Sequence, residues 1–317
     1  MKIFKKELDK VAKIYNLGKV KSYKLIKFGL INYNYDVKTE KDSFIIRFIG
    51  GEKNEWRRDK LMLSLGILNH LTEKKFPYGI PAPIKRKNGK ILSNVNGKKV
   101  WVYKKINGEH RKSRDDIQIK EIAKALSTFH KYVKDYKIEK HKQSWDWLIK
   151  KYDEMKKIVP KDKIDRLMLE NIDFFYDLLK KVSKIKFNDN CIVAHADFHE
   201  DNLLFKGDKL TAILDVDTNR WPRIQDIANT MRMACRDKTG KIKLNKMKLF
   251  IKEYEKITKL SKKEKDMIIP YMFERGATIF WWMYSGEYKT PEKKYGFLKY
   301  TINETKHIVK FVGKRLK

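Results

Sequence analysis

Asp197, Asn202 and Asp215 are three oxygen-bearing side chains whose spacing suits them to act together. They stand in HADFHEDNLLF (195–205) and AILDVD (212–217), on either side of a turn at Lys206-Gly207-Asp208. Carboxylate, amide and carboxylate are the set that phosphoryl transfer needs, because such a reaction leaves little covalent work to a protein. One group must orient the attacking hydroxyl, and oxygen ligands must hold magnesium against the phosphates. The step from Asp197 to Asn202 lets one loop offer a base to an acceptor and an amide oxygen to a metal. Asp215, at the end of a following strand, adds the carboxylate that magnesium prefers.

The elements that must position these groups can be read from the apolar period. Residues 1–17 have helical spacing, and from Lys21 the period shortens. KSYKLIKFGLINYNYDVKT and DSFIIRFIG then read as β-rich runs joined by a turn at Thr39 to Lys41. Trp56, Leu61, Leu65 and Leu68 recur at three and four over Asn54–Leu71, which predicts an amphipathic helix ending before the loop FPYGIPAPI. Two short strands are expected near Ile91 and in KVWVYKKI. After Asn107-Gly108, residues 115–136, 143–158 and 161–183 carry helix stripes. CIVAHADFH and KLTAILDVD are the later runs with strand character, and the chain beyond Ile224 returns to helix. The pattern predicts an α+β protein of two lobes: a small β-rich lobe over 1–106 and a larger, mainly helical lobe over 107–317.

The segment His195-Ala196-Asp197 with Asn202, then Leu214-Asp215, then Asp226-Ile227-Ala228, resembles the catalytic and metal-binding loops of the aminoglycoside phosphotransferase and choline kinase-like family. These are distant relatives of protein kinases, so the resemblance implies a protein-kinase-like fold and an ATP-dependent small-molecule kinase using Mg2+. It assigns Asp197 as catalytic base, Asn202 and Asp215 as magnesium ligands, and His195 and Asp226 as braces of the loops. FGLINYNYDV resembles the phosphate-covering hairpin, with Gly29 and the turn from Asn32 to Asn34 able to bring N–H groups over phosphate; a glycine in a strand also marks a plain bulge. VYKKINGE resembles the hinge, where Tyr103 to Ile106 would offer backbone groups to adenine, although an apolar strand closing the lobe has the same appearance.

The chain departs from the family pattern at several positions. Arg47, in FIIRF, stands where the family usually places a phosphate-pairing lysine. A guanidinium still pairs with phosphate, but as a fork rather than a point charge. Its acidic partner on the next helix is either Glu55 or Asp59. Ala196 replaces the usual glycine, a mild change. Asp217 adds a carboxylate that suits a second metal, an ammonium substrate or a loop hydrogen bond, and strand alternation would put it on the face of Asp215. In FERGATIFWWMY, Glu274, Arg275, Trp281 and Trp282 could line an acceptor pocket or belong to a core. His199 has no second His or Cys at ligand spacing and reads as a structural loop residue, and His130 as an interior one.

With 317 residues and 42% hydrophobic content the chain can fill real cores. No run approaches the length of a membrane span, and the start lacks a signal peptide's apolar region. Two cysteines cannot form a disulfide framework, so a reducing cytoplasm is expected. The net charge of +34 raises a polyanionic partner as a possibility. Only about 13 of the 74 basic residues are arginine and the lysines are spread along the chain, which fits a solvated surface better than a nucleic-acid reader. A small-molecule hydroxyl acceptor is the expected partner, whether homoserine, choline, a sugar or an aminoglycoside. The alternative is a kinase-fold protein that binds without catalysis, motivated by Arg47.

Overall fold

Alternating apolar residues in the first hundred positions build an antiparallel sheet with a helix on it. The computed structural model describes residues 3–26, 32–50, 55–138, 145–185, 191–216, 218–286 and 290–312, the side chains of 55–58 excepted. Helix α1 (Lys5–Ile14) is followed by strands β1 (Val20–Ile26), β2 (Tyr33–Thr39) and β3 (Ser43–Phe48), helix α2 (Glu55–Glu73), and strands β4 (Ser93–Val95) and β5 (Lys98–Lys104). The sheet order is β1-β2-β3-β5-β4. The central strand β3 carries the near-continuous apolar run SFIIRF, because neighbours on both sides and α1 leave it little solvent. Leu8, Val11 and Ala12 of α1 pack with Val37, Ile46, Phe48, Val100 and Val102 in one core.

Two compact units are resolved: Met1–Arg111 with Asp201–Asn219, and Lys112–Glu200 with Arg220–Lys317. In the first, strands β7 (Leu203–Lys206) and β8 (Lys209–Ile213) form a hairpin. It joins the rest of the unit through Gly79, whose N–H donates to Thr211 O at 2.8 Å and whose carbonyl accepts from Ile213 N at 2.8 Å. A Cβ at Gly79 would stand 3.2 Å from that of Ala212, so the side-chain-free residue permits the approach.

The second unit is helical: α3 (Asp116–Val133), α4 (Asp146–Met155), α5 (Lys163–Ser183), α6 (Arg223–Ala234), α7 (Leu244–Tyr254), α8 (Lys262–Ser285) and α9 (Pro291–Val312). A two-stranded sheet of β6 (Cys191–Ala194) and β9 (Asn219–Pro222) accompanies them. Side-chain caps explain several helix starts. Asp115 accepts from Gln118 N, Asp162 from Ile164 N and Asp165 N, and Ser261 forms a capping box with Glu264. Phe175, Leu179, Phe280 and Ile302 share the core of α4, α5, α8 and α9, with Phe175 and Phe280 stacked 4.1 Å apart. Gly276 lets α9 come close: a Cβ there would meet Cγ2 of Thr305 at 2.5 Å.

The α+β class is therefore as expected, with a β-sheet N-terminal region and a helical C-terminal region; the segment Asp201–Asn219, expected in the second lobe, groups with the first unit. β7 and β9 were not expected as strands; each has only four residues, too few to display a period. Among the described residues no helix is long and apolar enough to cross a membrane.

Candidate active site

The β7–β8 hairpin brings two of the three oxygen-bearing residues together. Leu203 pairs with Ile213 at its open end, and Leu214 N donates to Asn202 O at 2.7 Å. Asn202, in a single 3-10 turn (Glu200–Asn202), therefore lies beside the residue that precedes Asp215. Asp215 leaves the strand with φ +46°, a left-handed conformation uncommon for any residue but glycine, asparagine and aspartate. β8 ends at Ile213, two residues before Asp215. Asp217 itself lies outside the described residues, as does Gly29. Thr218 is buried, and its hydroxyl lies 2.9 Å from that of Ser64 on α2, anchoring the chain just past Asp215.

Arg47 reaches the same carboxylate. Its terminal nitrogen donates to Asp215 Oδ1 at 2.7 Å, and its Nε donates to Asn34 Oδ1 at 2.8 Å. Asn34 and Arg47 are cross-strand partners on β2 and β3, and Trp101 stands opposite Arg47 on β5, with the guanidinium 5.8 Å from its ring. Tyr103 packs on Trp101 and faces the pair; burial pushes its hydroxyl up, with Arg47 opposing and Asp215 adding to the rise. The sequence offers Asn34 only as the end of a phosphate-covering turn; its bond to Arg47 emerges only with the strand register. Asn32 accepts from Gly50 N at 3.2 Å, tying the start of β2 to the end of β3. Glu55 opens α2, but its side chain lies outside the description; Asp59, one turn on, is exposed.

Tyr103 remains in the β5 ladder opposite Ile45, whereas Ile106 has left it and lines a cavity of about 370 Å³. Ile80, Ala82, Lys104, Lys206 and Thr211 are among its other walls. All belong to the first unit.

The second unit carries Asp197 in a loop braced from beneath. Buried Asp226, at the start of α6, accepts from the N–H of His195 at 2.7 Å and of Ala196 at 3.0 Å. His130 Nε2 lies 3.0 Å from the same carboxylate, and its Nδ1 lies 2.7 Å from the Tyr254 hydroxyl. His130 is thus interior with both nitrogens engaged, and His195 is buried against Phe129 and Phe198. Ala196 has φ +68°, so the position that carries glycine in the family pattern has a left-handed backbone here. The change judged mild from the sequence is a strained one, because an alanine Cβ approaches the following carbonyl in that region.

Asp197 follows with its carboxylate 40% exposed, and His199 Nε2 lies 3.3 Å from its Oδ1. Burial pushes the Asp197 carboxyl up. The His199 hydrogen bond and charge outweigh it, with His195 and Arg275 adding, and the pKa is held at about 2. The carboxylate is therefore ionised at every physiological pH. The role of His199 could not be read from ligand spacing, because the contact arises from the curl of the loop.

Glu274 and Trp281 lie elsewhere in this unit. Glu274 is fully buried, accepting from Gln225 and Thr278, and burial raises its pKa to about 7 against those bonds and the charges of Arg275 and Arg232. Trp281 packs edge-on against Trp147 at 5.2 Å, beside the helical core.

A model of the phosphotransferase enzyme family matches residues 22–257. The chain belongs to that family. Curated relatives of this phosphotransferase include a homoserine kinase of Agrobacterium fabrum, 25% identical over 282 residues, covering 86% of this chain and 82% of that protein. A homoserine kinase of Bradyrhizobium diazoefficiens is 25% identical over 284 residues, covering 86% and 81%. The fold is shared with an amicoumacin kinase solved with AMP-PNP and Ca2+ (TM-score 0.70, 16% identity, 94% of this chain and 91% of that one). A microcompartment-associated aminopropanol kinase also shares it (TM-score 0.70, 15% identity, 98% and 100%). The phosphotransferase is a small-molecule kinase with a hydroxyl acceptor.

Proposed function

We propose that this phosphotransferase moves the γ-phosphate of ATP to the side-chain hydroxyl of homoserine, using Mg2+, with Asp197 as the base. The observation that carries the reading is the Asp197 carboxylate: it is partly exposed, kept ionised by His199, and mounted on a loop that Asp226 braces through two backbone N–H groups. A base fixed in its charged form can orient a hydroxyl and take its proton as the phosphoryl group arrives. The homoserine kinases among the relatives support the acceptor.

The donors present fit a hard divalent cation. Asp215 already holds a cation, the Arg47 guanidinium, and Asn202 stands beside it on the hairpin. Among the described residues no group of three His, Cys, Asp or Glu forms a full cage. Magnesium takes one or two protein oxygens and completes its shell with phosphates and water. Asn202 and Asp215 would hold the ion, which would supply positive charge against the phosphates.

Arg47 is the residue that pairs with phosphate. Its Nε stays on Asn34, and its terminal nitrogens turn from Asp215 to a phosphate oxygen, a match for the planar fork. Adenine is read by backbone groups past β5, near Ile106. Thiols rather than a disulfide at Cys191 and Cys235 suit the reducing, ATP-rich cytoplasm.

Asp197→Ala tests the assignment. The variant should keep the melting temperature and the nucleotide affinity of the parent while ADP release falls by about 10²–10⁴-fold, the share of a positioned base. Turnover equal to the parent's would remove Asp197 from the reaction.

A further inference from the structure

The loop that carries Asp197 has a second anchor on its far side. Glu200, buried three residues further on, accepts from Nε of Arg114 at 3.2 Å and from a terminal nitrogen at 2.7 Å, the two-bonded fork of a guanidinium on a carboxylate. The remaining nitrogen donates to Asp237 O at 3.4 Å. Arg114 stands just ahead of Asp115, the cap of α3, and its backbone is as engaged as its side chain. Its N–H donates to Gln118 Oε1 at 2.6 Å, and its carbonyl accepts from Nζ of Lys246 on α7. All of these residues belong to the second unit.

Arg114 occupies this place at φ +51°, a left-handed backbone, and unlike asparagine or aspartate it has no short polar side chain to offset the strain. A strained residue persists only where its surroundings over-determine it, and such residues gather at sites of function. Here α3, α7 and the Asp237 loop all fix Arg114, and what they fix is the guanidinium that reaches Glu200. We propose that Arg114 is a positioning residue for phosphoryl transfer: by fixing Glu200 it fixes the adjacent His199 against the Asp197 carboxylate. The proposal rests on the kinase reading above and adds the residue that aims its base.

The path from Arg114 to Asp197 is short. Asp226 holds the loop before Asp197, through the N–H groups of His195 and Ala196, and Arg114 holds it after, through Glu200. Between the two, His199 N donates to Asp197 O at 3.1 Å, and the imidazole lies 3.3 Å from the carboxylate. A shift of Glu200 therefore passes directly to that contact. Burial makes the pair a mount and not a surface ion pair, since the side chains of Arg114 and Glu200 are 23% and 9% exposed. Removing one partner leaves a buried charge uncompensated, so the carboxylate turns toward water and takes its neighbours with it.

Two readouts on the full chain test the proposal. In ADP release with L-homoserine and Mg2+, kcat should fall about 10²-fold in Arg114→Met, the scale of loss for a misplacement of about 1 Å, while KM for ATP stays within about twofold of the parent's. Arg114→Lys keeps the charge without the fork and should recover part of kcat. Carbon-13 NMR of the aspartate carboxyls needs no acceptor: in Arg114→Met the Asp197 titration should move upward from about 2 toward the ordinary 3.8, as His199 leaves it. Glu200→Gln keeps the shape, buries no charge and should give the same two results, which covers a methionine variant that fails to fold. A parental kcat or an unmoved Asp197 titration in a folded variant overturns the proposal. So does a fall in kcat matched by a rise in KM for ATP, the mark of general loosening. The kinase reading fails on a different result, the absence of ADP release by the parent with any hydroxyl acceptor, and the NMR measurement still decides the role of Arg114.

Discussion

The guanidinium of Arg47 meets the carboxylate of Asp215 at 2.7 Å across 168 positions of sequence. The contact places the side chain proposed to pair with phosphate directly on the carboxylate proposed to hold the metal. Before nucleotide arrives, each supplies the opposite charge that the other requires. Under that proposal, loading with metal and phosphate would exchange both partners, so neither charge need be left uncompensated.

Arg47→Ala removes one end of that exchange. A single transition-state donor in a dry site contributes about 10²–10³ in turnover, and a loss of that size is expected. Arg47→Lys keeps the charge but loses the Nε bond to Asn34, so it should recover only part of the rate and show a raised KM for ATP. Stability should barely change, by less than about 1 kcal/mol, because the Asp215 side chain is 43% exposed and solvent screens the pair. Initial rates over an ATP titration, with urea unfolding in parallel, separate the effects. Full turnover in the alanine variant would remove Arg47 from phosphate binding.

Ala196 offers a backbone test. Replacement by glycine relieves about 1–2 kcal/mol of left-handed strain. Against this stand the glycine entropy cost of about 0.5–1 kcal/mol and the lost burial of one methyl, about 0.8 kcal/mol. Ala196→Gly should therefore lie within about 1 kcal/mol of the parent. Ala196→Val puts a β-branched side chain at φ +68° and should cost at least about 2 kcal/mol. A valine variant as stable as the parent in urea would contradict the loop conformation.

Much of this arrangement was legible in the residues. The order Asp197, Asn202, Asp215 pointed to phosphoryl transfer, the reaction class of the family to which the chain belongs, and alternation over 33–48 announced the central strands. What escaped depends on contacts that no local period encodes. His199 meets Asp197 because the loop curls, and Asn34 meets Arg47 because two strands adopt one register out of several. Arg275 stands in the sequence among residues open to either a pocket wall or a core, and its contacts with Asn229 and Trp221 are not encoded by any local period. The left-handed turn at Asp215 likewise has no signature, since aspartate occupies that region only occasionally.

The pH behaviour of Asp197 follows from its neighbours. Its carboxyl is lowered from an ordinary value of 3.8 to about 2, so the stability it contributes is present above 3.8 and is lost as pH falls through 2. No acid limb of activity between pH 5 and 8 should therefore arise from this residue. In His199→Ala the opposing effect of burial is no longer outweighed to the same degree, and the titration should move upward toward the ordinary range. Carbon-13 NMR of the aspartate carboxyls resolves the shift, and an unmoved Asp197 titration in the variant would show that His199 is not its counter-charge.

Glu274 shows the opposite sign. Burial raises its pKa from 4.5 to about 7, so folding favours the protonated form. Its stabilising contribution is complete below pH 4.5 and is lost as pH rises through 7. At 1.36 kcal/mol per pH unit, the loss by pH 8 is on the order of 3 kcal/mol. Glu274→Gln keeps the shape and stays neutral: one amide oxygen can accept from Gln225, and the amide nitrogen can donate to the Thr278 hydroxyl, which accepts as readily as it donates. The variant should match the parent near pH 4.5 and exceed its stability progressively up to pH 8. Urea unfolding of both proteins across that range isolates the effect, since every other titrating group is common to the two. Parallel curves would mean that Glu274 remains charged in its interior site, held ionised by the Arg232 and Arg275 charges that already oppose its rise.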